Sequence, residues 1–594
     1  MAEALISPGV FLSENDQSQI TAGPITVGAA LIGPTVLGRV NIPTLITTYS
    51  EYSAKFGTTF ISGGVTYDYL TSQAAYNYFQ QGGTSLLVTR VASGSYTSAT
   101  ASVPTIGTAS LISFELETLS VGTVMNNYYS ASVTGGLLPS GSANNIRWQV
   151  SQVDSGSGLF TIIVRQGNDT TTNQSVLETW SNLSLDPNQN NYIAYVIGDQ
   201  TQTVRTDDAG AAYLQITGSY PNASNYIRVS NVVTPTPNYL NPQGQAYSYY
   251  TASLPAAGSG SAQGSFVGAT GPLYGCLNAT TYATTAPLNM YTSIPIVASV
   301  GATATTNTQG VFATSYDTAI SLLANTDAYA YNAIYAPGIT SQNASSQVST
   351  ILSMVQNRGT SIAVVDMVGY AQSISAVSTL AQSYDNSYGA TYWPWLQVRS
   401  IETGKLNFVP ASTIIPAVYE YNDKVSAEWF APAGLNRGGL PTVIQPEIRL
   451  TVAQRNTLYS AKVNPIAVFP GQGTVVYGQK TLQARASALD RVNVRRLLIA
   501  LKSYIGQIAE TLVFEQNTAV TRNKFLSQVN PYLDYVQQRQ GLYAFRVVMD
   551  DTNNTPDVID RNLLVGAIYL QPTRTAEFIQ LTFNVLPTGV TFGA

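Results

Sequence analysis

The stretch between residues 333 and 368 does most to limit what this chain can become. Residues 333–336 read as a short apolar strand, and Val348, Ile351, Leu352 and Val355 recur at steps of three and four on one helical face. Arg358-Gly359 closes that helix, and the run 361–368 follows as a strand of the fully buried type. Strand, helix and strand in that order make one βαβ unit, which dictates a parallel sheet with a right-handed crossover. At 594 residues the chain exceeds what one core can bury, so several domains are expected around this one.

A similar α/β pattern runs from 24 to 92. Residues 25–32 read as a strand, 44–47 as a short strand, and 50–56 as a short helix stopped by Gly57. Tyr67, Leu70, Ala74 and Tyr78 mark a helical face that Gly82-Gly83 ends, before a strand at 85–91. Residues 1–22 read as an extended arm, because Pro8 disfavours helix and Val10, Phe11 and Leu12 have nothing local to pack on. Residues 93–285 differ: Ser, Thr, Gly and Asn are abundant, and short alternating runs (146–150, 160–165, 192–197) point to β modules. Only Arg147, Arg165, Arg205 and Arg228 carry positive charge between 91 and 330.

The end of the chain is mainly helical, then extended. Ser487 and Asp490 form a candidate capping box, and Val494, Leu497, Leu498, Leu501, Ile505, Ile508 and Leu512 make one apolar stripe behind it. A second helical run follows, with Asn530-Pro531 suiting a break and Gly541 a stop. Strands are expected at 542–550 and 565–570, with a turn at 552–556. The run 577–586 (EFIQLTFNVL) alternates Ile579, Leu581, Phe583 and Val585 against Gln580, Thr582 and Asn584, the pattern of a half-buried strand.

Composition narrows the chemistry. The chain has no histidine, which excludes a Ser-His-Asp triad, a His-based metal site and an imidazole acid/base. Its single cysteine, Cys276, excludes an intrachain disulfide and a Cys-based zinc cage. Asp366 ends its strand without a catalytic partner and reads as a loop hydrogen-bonding group. The run 473–481 nearly matches a phosphate-binding loop, but Gln479 separates Gly478 from Lys480 and misplaces the amine, so a turn between strands fits better. The Tyr-rich run at 247–250 lacks the basic groove that nucleic acid needs, and the net charge is −5. The start lacks a basic n-region and an apolar h-region, and no run approaches a membrane span of ~18 residues. No cofactor, metal, direct nucleic acid or membrane partner is expected. Only 10% of residues are charged against roughly 25% in ordinary domains. With 38 Tyr, such a surface suits protein–protein contact, and equally a β-rich domain with uncharged polar loops.

Several motifs in order resemble the sheath proteins of contractile bacteriophage tails and related injection particles. They are RR at Arg495-Arg496, FEQN at 514–517, NTPDVID at 554–560 and P-x-x-x-AEFI at 572–579. SPGV at 7–10, PTLITTYSEYSAKFG at 43–57, the YWPWL run at 392–396, WFAPAG at 429–434 and the 464–479 segment extend the likeness to roughly 1–92 and 290–594.

The resemblance implies a non-catalytic α/β core of subtilisin-like topology, an α+β C-terminal domain and an inserted β-rich protrusion. The parts would be an arm (1–22), core (23–92 and 286–475), protrusion (93–285), C-terminal domain (476–575) and arm strand (576–594). It implies hexameric rings stacked as a helical sleeve around a tail tube protein, bounded by baseplate and tail terminator proteins. Contraction would drive the tube through the host envelope. The protein would be made in a bacterial cytoplasm and reside in the virion. Arm contacts between subunits would fall on Val10, Phe11, Leu12, Phe578, Ile579, Leu581, Phe583 and Val585. Arg491, Arg495 and Arg496 are either solvated cations flanking the stripe or a patch facing the tube. A carbohydrate-binding or adhesive β-rich tail or fibre protein is the alternative from another class. An enzyme on a subtilisin-like core conflicts with the missing histidine.

Overall fold

A computed structural model describes residues 28–62, 65–92, 95–96, 98–121, 146–170, 172–261, 266–267, 311 and 313–577. The expected arm contacts Val10, Phe11, Leu12, Phe578, Ile579, Leu581, Phe583 and Val585 therefore lie outside the described residues, as does Cys276.

Apolar runs from two distant parts of the chain meet in one six-stranded sheet. Its order is Gly389–Ala390, Ile362–Asp366, Ala333–Thr340, Ala29–Gly33, Leu86–Arg90 and Thr44–Ile46. Neighbours are parallel except Thr44–Ile46, which pairs antiparallel with Leu86–Arg90 at the edge. The expected βαβ unit is present: Ala333–Thr340, the helix Ser341–Arg358 and Ile362–Asp366, with Ala333 opposite Ile362. Ala29–Gly33, Leu86–Arg90 and Ile362–Asp366 are buried throughout, which explains unbroken rather than alternating apolar runs. The Ser341–Arg358 helix starts on a capping box between Thr340 and Asn343 and ends on Gly359 at φ 73°.

The β-rich segment folds into separate sheets. Val176–Leu183, Leu159–Gln166, Ile146–Asp154 and Gly258–Ser261 form one; Ile227–Val232, Ile112–Val121 and Ser98–Pro104 form another. Its apolar cluster, with Phe114, Ile162, Val164 and Leu254, also takes in Val36, Leu37 and Tyr69 from the α/β part. The run 192–197 is not a strand but the short helix Ile193–Ile197, which buries Ile193 and Ala194 and, one turn on, Ile197. Two of the segment's few cations are internal: Arg165 Nε lies 2.7 Å and Arg147 Nη1 3.3 Å from the Asp169 carboxylate.

The C-terminal part corrects three local expectations. Ser487 accepts from the Leu489 N–H at the head of the short turn Ala488–Asp490, and the long helix Val492–Glu510 begins only after Arg491. The helix Ala519–Gln538 runs through Pro531 without a break, its Phe525, Val529, Leu533 and Val536 held in one cluster. Packing of that stripe outweighs the missing backbone bond. It is Gln540, at φ 66°, that takes the left-handed position after this helix. Gly541 donates to the Val536 carbonyl at 2.8 Å, completing a Schellman end, and a Cβ there would fall 2.5 Å from Val536 Cγ1. Leu542–Val548 and Ala567–Pro572 then pair antiparallel as a two-stranded sheet, joined through the short helix Pro556–Asp560.

The Thr340 cap is testable by itself. Thr340→Ala should weaken the first turn of the Ser341–Arg358 helix by about 1 kcal/mol. Faster amide exchange confined to that turn, with the sheet unaffected, is the expected readout.

Candidate functional site: a buried joint and an anchored chain end

The long helix Val492–Glu510 meets the core along its first two turns, and polar groups sit at this meeting. The core contributes the helix Ile415–Val425, whose face carries Glu420 and Asp423, followed by Ala427, Glu428 and Trp429. Arg496 forms a two-pronged ion pair with Asp423, at 2.8 Å and 2.5 Å, and lies 4.6 Å over the Tyr419 ring. Arg495 stacks 3.9 Å from the Tyr388 ring centre and donates to the Ser387 hydroxyl at 2.5 Å. Asn493 donates to the Trp429 carbonyl at 3.2 Å, and the Trp429 indole N–H donates to the Arg539 carbonyl at 2.9 Å. Trp429 belongs to the apolar cluster of Leu497, Leu501, Val529 and Val536, so the WFAPAG segment is the core's plug in the C-terminal helices.

This geometry corrects the expectation of a tube-facing patch. Arg495 and Arg496 are each 4% exposed and turned toward the core. The apolar stripe alone left their direction open; Tyr388, Tyr419 and Asp423 decide it, because aromatic faces and a carboxylate replace the water a guanidinium would lose. Arg491 is only half-buried, but its partners are internal too.

The joint is rich in acid. Glu420, Asp423 and Glu428 share Arg496. Burial first, then the Asp423 charge, push the Glu420 carboxyl up to about 8 against the pull of Arg496. The same two causes push Glu428 up to about 7. Asp423 takes the ion pair, and Arg496 is held fully charged, its own pKa raised against burial by Asp423.

A second constellation fixes the chain just before its terminal run. Arg491 Nε and Nη2 donate to the two Glu577 carboxylate oxygens at 2.6 Å and 3.0 Å. The Tyr459 hydroxyl donates to the same carboxylate at 2.8 Å and the Gln479 amide at 3.1 Å. Against burial, these donors hold the Glu577 carboxyl below its usual range. Gln479, which spoils the phosphate-loop reading, thus belongs to the anchor of AEFI. Lys480 points elsewhere, donating to the Tyr459 carbonyl at 2.9 Å. The glycines before it shape the hairpin between Asn464–Phe469 and Gly473–Val476.

Asp366 is buried and accepts from the Ser412 N–H at 3.2 Å and hydroxyl at 2.5 Å, while burial pushes its carboxyl up to about 7. Tyr247 stacks on Tyr249, while Tyr250 meets Tyr249 at a tilt and Tyr247 edge-on. Among the described residues no group of three metal-ligating side chains is assembled, and no helix is long and apolar enough to cross a membrane. Reading the sequence missed Glu420, Asp423, Glu428 and Tyr459. A weak signal existed in Glu420 and Asp423, spaced three apart on an otherwise apolar helix face.

Two variants test the joint. Asp423→Ala removes the two-pronged partner of the buried Arg496 and should cost up to about 3–5 kcal/mol, less whatever Glu420 and Glu428 recover by ionising beside it. Hydrogen exchange in both facing helices should rise together, whereas loss in one helix alone would contradict a shared joint. The Glu420 carboxyl has its folded pKa raised above the usual 4.5. The folded state therefore binds more protons than the unfolded one between roughly pH 5 and 8, so this group's contribution declines as pH rises through that window. Glu420→Gln should flatten that decline and slow exchange in Ile415–Val425 near pH 8; an unchanged pH profile would refute the assignment.

Residues 309–482 match the model of the phage tail sheath protein central domain, and residues 485–586 that of the phage tail sheath C-terminal domain. The chain is 37% identical over 249 residues to the tail sheath protein of Vibrio phage KVP40, covering 41% of this chain and 37% of that protein. It is 42% identical over 185 residues to the tail sheath protein of Enterobacteria phage T4, covering 31% of this chain and 28% of that one. The matched stretches thus span well under half the length of these relatives. A solved sheath tail protein of Listeria innocua superposes at a TM-score of 0.48 with 11% identity, over 89% of this chain and 90% of that one. Residues 309–482 and 485–586 are thus similar to the central and C-terminal domains of phage tail sheath proteins.

Proposed function

We propose that the chain is a subunit of a contractile tail sheath, built to keep its body rigid while its ends bind neighbours. The observation that carries this reading is the Glu577 anchor. The body holds the chain firmly up to that residue, and an alternating apolar run (Phe578, Ile579, Leu581, Phe583, Val585) follows at once. A strand of that pattern buries one face only on another sheet. The two-stranded sheet Leu542–Val548/Ala567–Pro572 is a receptor of the required kind, with Tyr543 and Tyr569 each 62% exposed and no third strand among the described residues.

In this reading subunits form hexameric rings stacked in a helical sleeve around a tube protein, between baseplate and terminator proteins. The core keeps a subtilisin-like topology without its chemistry, and the β-rich segment is a peripheral protrusion. Contraction relaxes a metastable sleeve and drives the tube through the host envelope, with no fuel hydrolysed. The particle is assembled in the bacterial cytoplasm. Arm residues exchanged between subunits are Val10, Phe11 and Leu12 at one end and the 578–585 set at the other. Each main-chain hydrogen bond of an added strand contributes ~0.5–1.5 kcal/mol and each well-buried apolar side chain roughly 1.5–3.

Deleting 578–594 leaves the Glu577 anchor intact and should yield a folded subunit that forms no sleeves. Melting of the subunit and tubes counted by electron microscopy are read together. Normal tubes from this truncation and from deletion of 1–20 would overturn the exchange of strands.

A further inference from the structure

Where the α/β core meets the β-rich segment, the backbone is pinned on both sides of Arg39. The Gly38 N–H donates to the Ser120 hydroxyl at 2.7 Å, and the Gly38 carbonyl accepts from Arg90 Nη1 at 2.6 Å. The Asn41 N–H donates to the Arg90 carbonyl at 2.8 Å. Arg39 is thereby held at the wall of a cleft of about 330 Å³, a size typical of small-ligand sites. Ile42 and Leu45 give the cleft an apolar side, and Gln202 and Asn225 a neutral polar side.

Charge in the cleft is not balanced. Lys55, which also lines it, is paired with Glu51 at 2.7 Å, and nearby Arg228 is paired with Glu117. Glu178 is engaged by the Ser224 hydroxyl and the Asn225 backbone N–H. Arg39 pairs with no carboxylate among the described residues; its Nη1 donates to the neutral Gln202 Oε1 at 3.2 Å. Burial, then the Arg228 charge, lower its pKa, as befits a cation without a counter-ion. The Nε and Nη2 edge of the guanidinium makes no bond among the described residues, and two parallel N–H groups there form the fork that fits a carboxylate. A phosphate dianion would call for a second open cation, and Lys55 is already spent on Glu51.

We propose that this cleft is a binding site for a small hydroxylated carboxylate of the sugar-acid class. Its carboxylate lies on the Arg39 fork, its hydroxyls on the Gln202 and Asn225 amides, and its C–H face on Ile42 and Leu45. Each wall thus selects one part of the ligand, and the pinned backbone sets the cation in place before binding. The site needs nothing from another copy, so it stands apart from any assembly of the chain.

Sodium glucuronate titrated into the full chain, followed by calorimetry and saturation-transfer NMR, tests it. Glucuronate should bind, and glucose, which lacks the carboxylate, should bind at least about tenfold more weakly. Arg39→Gln should lower glucuronate affinity about tenfold with an unchanged melting temperature. Acetate in excess should displace glucuronate from unaltered protein, a measurement that no misfolded variant can mimic. A galacturonate trisaccharide separates two sources of the same chemistry: tighter binding than the monomer assigns a polymer, and equal binding the free acid. Equal affinity for glucose, equal affinity in Arg39→Gln, or failure of acetate to compete overturns the proposal. Inorganic phosphate binding where glucuronate does not overturns the sugar-acid class, and no binding of any of these acids overturns the site.

Discussion

The ion pair between Arg496 and Asp423 is the constraint from which the rest of the body follows. It joins the core helix Ile415–Val425 to the long helix Val492–Glu510, with the Arg496 side chain 5% and the Asp423 side chain 18% exposed. A buried charge pair contributes little net stability, since desolvation offsets most of the attraction, but losing one partner is severe. Such a contact therefore specifies an arrangement more than it strengthens it. Tyr419 over the guanidinium, the Trp429 plug and the Asn493 bond all require that arrangement, so core and C-terminal helices behave as one piece.

The same helix entry also holds Glu577, the last of the described residues. Arg491, one turn before Arg496 on the same helix entry, clamps Glu577. The helix that locks the core thus also positions the root of the terminal run. Tyr459 and Gln479, which complete the cradle, come from the core, so Glu577 is held by the core and the long helix together.

The central sheet explains how a long β-rich segment is carried without loss of the core. Ala29–Gly33 pairs with Leu86–Arg90 on one side and Ala333–Thr340 on the other, so the segment leaves and returns within one hydrogen-bonded unit. Closing so long a connection costs little more than closing a shorter one, because loop entropy grows only logarithmically. Val36, Leu37 and Tyr69 tie the two parts through a shared apolar cluster. With Arg147 and Arg165 spent on Asp169, the segment's surface is left nearly free of positive charge, as contact surfaces and uncharged β domains alike require.

The sequence by itself determined the elements whose signal is local: the βαβ unit, the helix faces of 70–80 and 341–358, the apolar stripe of 492–510, and the lack of imidazole chemistry. These depend on periodicity and on which side chains exist at all. Tertiary structure decided whatever depends on a partner distant in the chain. Pro531 stays helical because packing of Phe525, Val529, Leu533 and Val536 outweighs a local preference. Arg495 and Arg496 turn inward because Tyr388 and Asp423, far back in the chain, compensate their charge. Gln479 shifts from a flaw in a phosphate loop to a donor for Glu577, since nothing short-range links positions 479 and 577. A residue's neighbours along the chain set its conformation, but only the fold sets which charges meet, and the joint and the anchor are made of such meetings.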